Sequence, residues 1–281
     1  SVVGHLVGRG DLILHDALAH NSIIQGAMLS GATRRPFDHN DWEILDQILR
    51  EIRRDYRRVL IAIEGLYSMD GDFPDLPKFV EVKKRHKCLL YVDEAHSIGT
   101  LGETGRGLTE LQDVNPGDID FCMGTVSKSL GSFGGFVLSN STTIDYLRYT
   151  TPGFVFAAGL PPGAVAAGFQ ALKVLRKEPG RVANLAKNSQ MFLELANRGG
   201  LNTGPSGGSP IIPVITGDSL KALKLSESLY LEGINAQPIL HPAVEEDRAR
   251  VRFFMTSLHT PEQIQKTVDV TVKAWNVIKD L

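Results

Sequence analysis

The sequence predicts an α/β protein: a large domain with a mostly parallel sheet, then a smaller α+β domain. Three observations predict it. Apolar runs of strand length alternate with stretches of helical spacing through the first 150 residues. The runs at 59–63 and 88–92 are apolar at almost every position, as in strands covered on both faces. Beyond residue 150 the pattern changes to long helices and then short strands with helices between them. The expected division is 1–170 for the large domain and 171–281 for the small one, with the hinge in the helices between.

Each element has a local reason. Residues 11–15, DLILH, read as a short buried strand leading into a helix over DALAHNSIIQGAML, with His20 at the junction. A histidine at such a junction ordinarily caps or packs. Asp41 caps a helix whose apolar face is Trp42, Leu45, Ile48, Leu49 and Ile52. The arginine-rich stretch 50–58 suits that helix's negative end. The strand at 59–63 ends in Glu64-Gly65 and opens into LYSMDGDFPDLP, dense in turn residues. Asp70 and Asp72 there lack EF-hand spacing, so they read as a plain turn and no metal site is expected. A helix over 77–86 leads to the strand at 88–92, which ends in Asp93-Glu94-Ala95-His96. A glycine-rich loop, 99–107, follows.

Residues 118–136, DIDFCMGTVSKSLGSFGGF, give a strand (119–123), a turn, and a second strand (135–138). Lys128 lies in the turn between two serines, followed by Gly131, Gly134 and Gly135, which let the backbone turn sharply beside a ligand. A lysine so placed serves either of two chemistries, a phosphate contact or a Schiff base. The Walker phosphate loop needs Gly directly before Lys, and Ser127 stands there. In the second domain, helices are expected over 163–177, 181–197 and 220–232, with strands at 211–215, 234–239 and 250–255. The last helix has Thr260 as N-cap, Pro261 at its first turn and Gln263 completing a capping box. Arg250 and Arg252 share one strand face by period-2 spacing. They read either as surface arginines or as a carboxylate clamp.

Composition narrows the function. The chain has 281 residues and a net charge of −2, which argues against a nucleic-acid surface. No apolar run approaches the ~18 residues of a membrane span. Cys88 and Cys122 each sit in an apolar run and read as reduced core thiols. Residues 1–11, SVVGHLVGRGD, begin in mid-pattern, so the chain is expected to start inside a larger domain. Ligands of open α/β sheets bind beyond the carboxyl ends of the strands. Four groups fall there: His20, Glu64 with Ser68, Asp93 with His96, and Lys128. A lysine, a strand-end aspartate and a histidine suit pyridoxal phosphate: the lysine holds its aldehyde, the aspartate its ring nitrogen, the histidine its ring face. Nearby hydroxyls and backbone N–H groups suit its phosphate.

Six segments in order resemble the α-oxoamine synthase family of fold-type I pyridoxal-phosphate enzymes. They are LAHNSI with His20, FDHND at 37–41, EGLYSMDGD at 64–72, VDEAHSIGTLGETGRG at 92–107, GTVSKSLGSFGG at 124–135 and RARVRFFMTSLHTPEQI at 248–264. The resemblance implies roles. Lys128 carries the Schiff base and takes the Cα proton. Asp93 pairs with the ring nitrogen, and His20 stacks on the ring. His96 bonds the ring 3′-oxygen or assists the carbonyl. Ser68 contacts the cofactor. Thr125 and Ser127 contact the phosphate or the lysine turn, and Arg252 binds the substrate carboxylate. It further implies a cytoplasmic homodimer condensing an amino acid with an acyl thioester, losing CO₂ and the thiol to give an α-amino ketone.

Three departures stand against the family pattern. Its upstream segment, with a glycine loop and a phosphate-contacting loop, is missing from the sequence. Ala157, Ala158 and Gly159 replace the Thr or Ser expected before the Pro-Pro pair. Val244-Glu245-Glu246-Asp247 replaces the usual Pro-x-Gly, which leaves substrate choice open. The rival readings are a non-catalytic partner subunit, another pyridoxal-phosphate reaction such as aminotransfer or amino-ketone cleavage, and a helicase-type NTPase suggested by VDEAH.

Overall fold

Five parallel strands and one antiparallel strand form the larger sheet, in the order β2-β1-β3-β4-β5-β6. The strands are β1 (Leu12–Asp16), β2 (Thr33–Phe37), β3 (Val59–Glu64), β4 (Leu89–Asp93), β5 (Phe121–Thr125) and β6 (Gly135–Leu138). In the computed structural model, which describes residues 1–280, the chain divides into two compact units. Unit 1 is Ser1–Tyr67 with Phe73–Glu178; unit 2 is Ser68–Asp72 with Pro179 onward.

In unit 1, all six residues of β3 and all five of β1 are buried. That explains why both runs read as apolar without alternation. The helices are α1 (Val2–Leu6), α2 (Asn21–Ser30), α3 (Trp42–Ile52), α4 (Leu76–His86), α5 (Leu108–Leu111), α6 (Ser141–Thr150), α7 (Pro152–Val155) and α8 (Pro162–Lys177). The Asp41 side chain accepts from the Ile44 N–H at 2.8 Å, as its capping position requires. One core joins α1 and α2 to the sheet through Val3, Ile13, Ile23, Leu60, Ala62 and Phe121. Strand β2 has no counterpart in the sequence reading. Its residues TRRPF are exposed except for Phe37, so it carries no buried face to reveal it, and its proline is tolerable on an edge. The expected boundary after residue 170 falls inside α8; the two units divide one residue beyond that helix.

Both cysteines are free thiols. Burial pushes the Cys88 thiol up to about 11 and that of Cys122 to about 12, the carboxyls of Glu94 and Asp93 adding to the latter. Such thiols are poor nucleophiles.

Unit 2 has a three-stranded antiparallel sheet, β7 (Ile211–Ile215), β9 (Arg250–Phe254) and β8 (Gln237–Ile239), in that spatial order. Strand β8 is shorter than the expected 234–239. Helices α9 (Gly180–Arg198), α10 (Ser219–Leu231) and α11 (Pro261–Ile278) complete the unit. Phe192, Ile212, Val214, Leu225, Leu229, Val251 and Phe253 centre its core. Fully burying such side chains contributes about 1.5–3 kcal/mol each. The capping box of α11 forms as predicted. Thr260 Oγ1 accepts from the Gln263 N–H at 3.3 Å, and Gln263 Oε1 accepts from the Thr260 N–H at 2.9 Å.

Arg250 and Asp70 correct the sequence reading. Arg250 is 1% exposed and donates through Nη1 to Asp70 Oδ1 at 2.7 Å and to the Met69 carbonyl at 2.9 Å. Its Nε donates to the Arg248 carbonyl at 2.8 Å. It is therefore a structural ion pair, neither a surface arginine nor a clamp. Asp70 is accordingly a buried partner and not a plain turn residue.

Candidate active site

The site of unit 1 lies where its parallel strands end. Strands β1 and β3 run side by side, and their connections leave on opposite flanks, β1 to β2 and β3 to β4. Such a switch point leaves a crevice at the carboxyl ends. Asp93 ends β4 beside Glu64, which ends β3. His20 follows β1 and caps α2, its Nδ1 sharing hydrogen bonds with the Ser22 N–H at 3.2 Å and Ser22 Oγ at 2.8 Å. Lys128 is exposed in the turn after β5.

Each group is held from below. Asp93 is 4% exposed, and its Oδ1 accepts from the Ala95 N–H at 3.0 Å. Burial pushes its carboxyl above the usual range; the Ala95 N–H and the charges of Lys128 and His20 pull the other way. Asp93 thus senses both residues expected to share a ring with it. His96 is half-buried on the turn after β4, its carbonyl accepting from Thr100 Oγ1 at 2.6 Å. Thr125 Oγ1 and Ser127 Oγ lie 2.8 Å apart, and the Ser127 N–H donates to Thr125 Oγ1 at 3.3 Å. The Gly131 N–H closes the lysine turn on the Lys128 carbonyl at 2.9 Å. Gly131 has φ +58° with open space around it, whereas a Cβ on Gly124 would meet the Phe136 ring at 2.3 Å. The first glycine serves the turn and the second serves strand packing.

His20, Asp93, His96, Thr125, Ser127 and Lys128 therefore all belong to one edge of unit 1. Ser68 and Arg252 belong to unit 2. There, Arg252 donates through Nη1 to the Ser68 carbonyl at 2.7 Å and stacks 4.6 Å over the Phe254 ring. Its Nε is buried without a hydrogen-bond partner. Burial, with the neighbouring Arg250, pulls its proton affinity down. A guanidinium left with a buried unused donor suits a carboxylate.

The profile of the family Aminotransferase class I and II matches residues 4–270. An 8-amino-7-oxononanoate synthase of Treponema denticola is 41% identical over 272 residues, covering 97% of this chain and 68% of the relative. The chain belongs to this family, in its α-oxoamine synthase branch. Long chain base biosynthesis protein 2d of Oryza sativa subsp. japonica is 34% identical, covering 99% of this chain and 60% of its own. A serine palmitoyltransferase from S. paucimobilis, solved with a bound PLP–myriocin aldimine, superposes with a TM-score of 0.94 at 31% identity, covering 100% of this chain and 70% of that one.

Family membership removes the NTPase reading of VDEAH and makes pyridoxal phosphate the cofactor to test against these residues. They fit it. A buried carboxylate at a strand end faces a lysine and a histidine, and a glycine-bearing turn with two hydroxyls lies beside the lysine. Among the described residues no helix is long and apolar enough to cross a membrane.

Glu64 stands among the groups expected at the strand ends but without a role; it is 3% exposed and accepts from the His20 N–H at 2.6 Å. A further group, Glu94, has no counterpart among the expected site residues. Glu94 is 1% exposed, takes the Ser97 hydroxyl and accepts from the Leu108 N–H at 3.0 Å. It ties the glycine loop to the strand that ends in Asp93. Nothing in the spacing of Glu94, which follows Asp93 at the end of β4, marks it as buried.

Proposed function

We propose that the protein is a pyridoxal-phosphate-dependent acyltransferase that condenses an amino acid with an acyl thioester, releasing CO₂ and the thiol and yielding an α-amino ketone. One observation carries the reading: a buried carboxylate, Asp93, at the end of β4, with Lys128 after β5 and His20 after β1 at the same ends of the sheet. Pyridoxal phosphate, when bound, supplies an electron-withdrawing ring that stabilises negative charge at the amino-acid α-carbon.

The roles follow from what each side chain can do. Asp93 holds a proton on the ring nitrogen. Lys128 Nζ would hold the cofactor aldehyde and, once the substrate amine has freed it, would take the Cα proton. His20 presents an imidazole face from a capped helix start. His96 offers a ring N–H to the 3′-oxygen or to the thioester carbonyl. Thr125 and Ser127 offer hydroxyls to the phosphate, and Ser68 offers another contact. Arg252 fixes the substrate carboxylate.

The protein works as a homodimer in this reading. Phe133, Phe154, Phe156 and Phe169 are 75%, 62%, 86% and 59% exposed in unit 1, apolar surface that a second copy would cover. A cytoplasmic location suits its two reduced thiols.

Reconstitution tests the reading. The wild type mixed with pyridoxal phosphate shows a visible absorbance band that survives gel filtration, and Lys128→Ala does not. A band retained in Lys128→Ala refutes the assignment of the lysine. Thiol release from acyl thioesters in the presence of single amino acids then identifies the substrates, and retention of the thioester with every amino acid refutes the acyltransferase reading.

A further inference from the structure

Glu64 has no part in the chemistry above, yet it lies nearest to that chemistry's most sensitive carboxylate. Glu64 and Asp93 are register partners in the parallel ladder of β3 and β4. Register partners on neighbouring parallel strands project to the same face, with the strands about 4.8 Å apart. The Gly65 N–H donates to the Asp93 carbonyl at 2.8 Å, which keeps the two strand ends together. Both carboxyls are almost wholly shielded from water, at 3% and 4% exposure. Two carboxylates so placed do not both ionise near neutrality; one keeps its proton.

The surroundings decide which. Asp93 receives the Ala95 N–H and has Lys128 and His20 on its side. Glu64 also feels Lys128, but it faces the charge of Asp93, and that of Asp16 at the end of β1 adds to it. The Tyr67 hydroxyl lies at the Glu64 backbone, donated to by its N–H at 3.4 Å. Glu94 presses on the adjacent Gly65, where a Cβ would lie 2.5 Å from its Oε2. Burial first and Asp93 second push the Glu64 carboxyl up to about 8.

What a neutral Glu64 does is also visible. Its Oε1 accepts from the main-chain N–H of His20 at 2.6 Å, so it fixes the residue that starts α2 and presents the imidazole. We propose that Glu64 is a positioning residue of the cofactor site: an uncharged carboxyl that fixes the His20 main chain and leaves Asp93 as the anionic member of the pair. The proposal rests on the pyridoxal-phosphate reading of the site.

Two measurements test it. The first is a ¹³C titration of the glutamate side-chain carboxyls in the cofactor-stripped protein, with the Glu64 signal identified by its absence in Glu64→Gln. The expected midpoint lies above pH 7, and a midpoint in the ordinary glutamate range near 4.3 overturns the proposal whether or not cofactor binds. The second is the equilibrium Kd for pyridoxal phosphate in wild type, Glu64→Gln and Glu64→Ala. Gln keeps a neutral acceptor for the His20 N–H, so its Kd at pH 7 stays within threefold of wild type. Ala removes the acceptor and weakens binding at least tenfold. Above pH 8.5, ionised Glu64 sets a second buried negative charge beside Asp93, and the repulsion loosens the strand ends that hold His20, so the wild type weakens threefold or more relative to Gln. A Gln variant as weak as Ala at pH 7, or a wild-type to Gln ratio unchanged to pH 9.5, overturns it. A wild type that takes up no pyridoxal phosphate defeats the functional reading, while the carboxyl titration still decides the state of Glu64.

Discussion

The buried pair of Arg250 and Asp70 allows a quantitative test within unit 2. Their side chains are 1% and 4% exposed with Nη1 and Oδ1 2.7 Å apart. At an effective dielectric near 20, that separation corresponds to roughly 6 kcal/mol of attraction. Desolvating the two ions opposes most of it, so the intact pair contributes little net stability. Removing one partner is different, because the other charge stays buried. That loss costs about 3–5 kcal/mol. The remaining contacts rank the two single variants. Asp70→Ala leaves Arg250 still bonded to the Met69 and Arg248 carbonyls, which places it near 3 kcal/mol. Arg250→Met removes every one of those bonds and leaves Asp70 with Arg248 at 3.3 Å, an arginine whose side chain is 44% exposed. That places it nearer 5 kcal/mol.

The assay is urea unfolding followed by Trp275, which packs against the unit 2 core, in a Trp42→Phe background so that one indole reports. Asp70→Ala and Arg250→Met are measured alone and together. Because each single variant strands a charge that the double variant removes, the double costs no more than the larger single. Single losses below about 1 kcal/mol, the range of exposed pairs, refute the reasoning. So do losses that simply add.

Two further predictions follow from the other charged sites. Arg252→Ala weakens amino-acid binding by about 1.5–3 kcal/mol, the range of a hydrogen bond to a charged group, and Arg252→Lys restores only part of it because the fork is lost; spectral titration of the reconstituted protein with amino acids measures both, and unchanged affinity in Ala removes the clamp. Asp11 is held below the usual carboxylate range first by its bonds from Arg57, against the opposing effect of burial. A carboxyl depressed on folding contributes stability that is full above its unfolded value near 3.9 and is lost as pH falls through the lower folded value. Asp11→Asn therefore loses less stability than wild type between pH 5 and pH 2 in urea titrations, and equal acid slopes would refute the assignment.

The parts of the fold legible in the sequence were those where burial dictates composition. Strands β1, β3 and β4 lie inside a covered sheet, so apolarity without alternation marked them. The caps of α3 and α11 were legible because an Asp or Thr at a helix start has a defined backbone N–H to meet. Strand β2 was not, since an exposed edge strand makes no demand on its side chains beyond Phe37. The helix α6 was missed for a related reason: among its residues only Leu147 is buried.

Charge was the harder matter. Period-2 spacing correctly put Arg250 and Arg252 on one face of β9, but it could not say how deep each side chain lay. The answer depended on Asp70, 180 residues earlier in the chain. The burial of Glu64 was illegible for the same reason, since a glutamate at a strand end is solvated or buried according to what covers that end. Lys128, Asp93 and the two histidines stand out in the sequence because each brings a reactive group whose place in the strand-turn pattern is already unusual. The groups that set their protonation are ordinary carboxylates, and what distinguishes them is only the neighbours that folding gives them. Glu64 and Asp93 end adjacent strands of the same ladder with similar exposure, yet Lys128 and His20 support the charge on one while Asp93 and Asp16 oppose it on the other. A division of roles between like groups is therefore a property of the assembled strand ends, and no single-residue pattern could have supplied it.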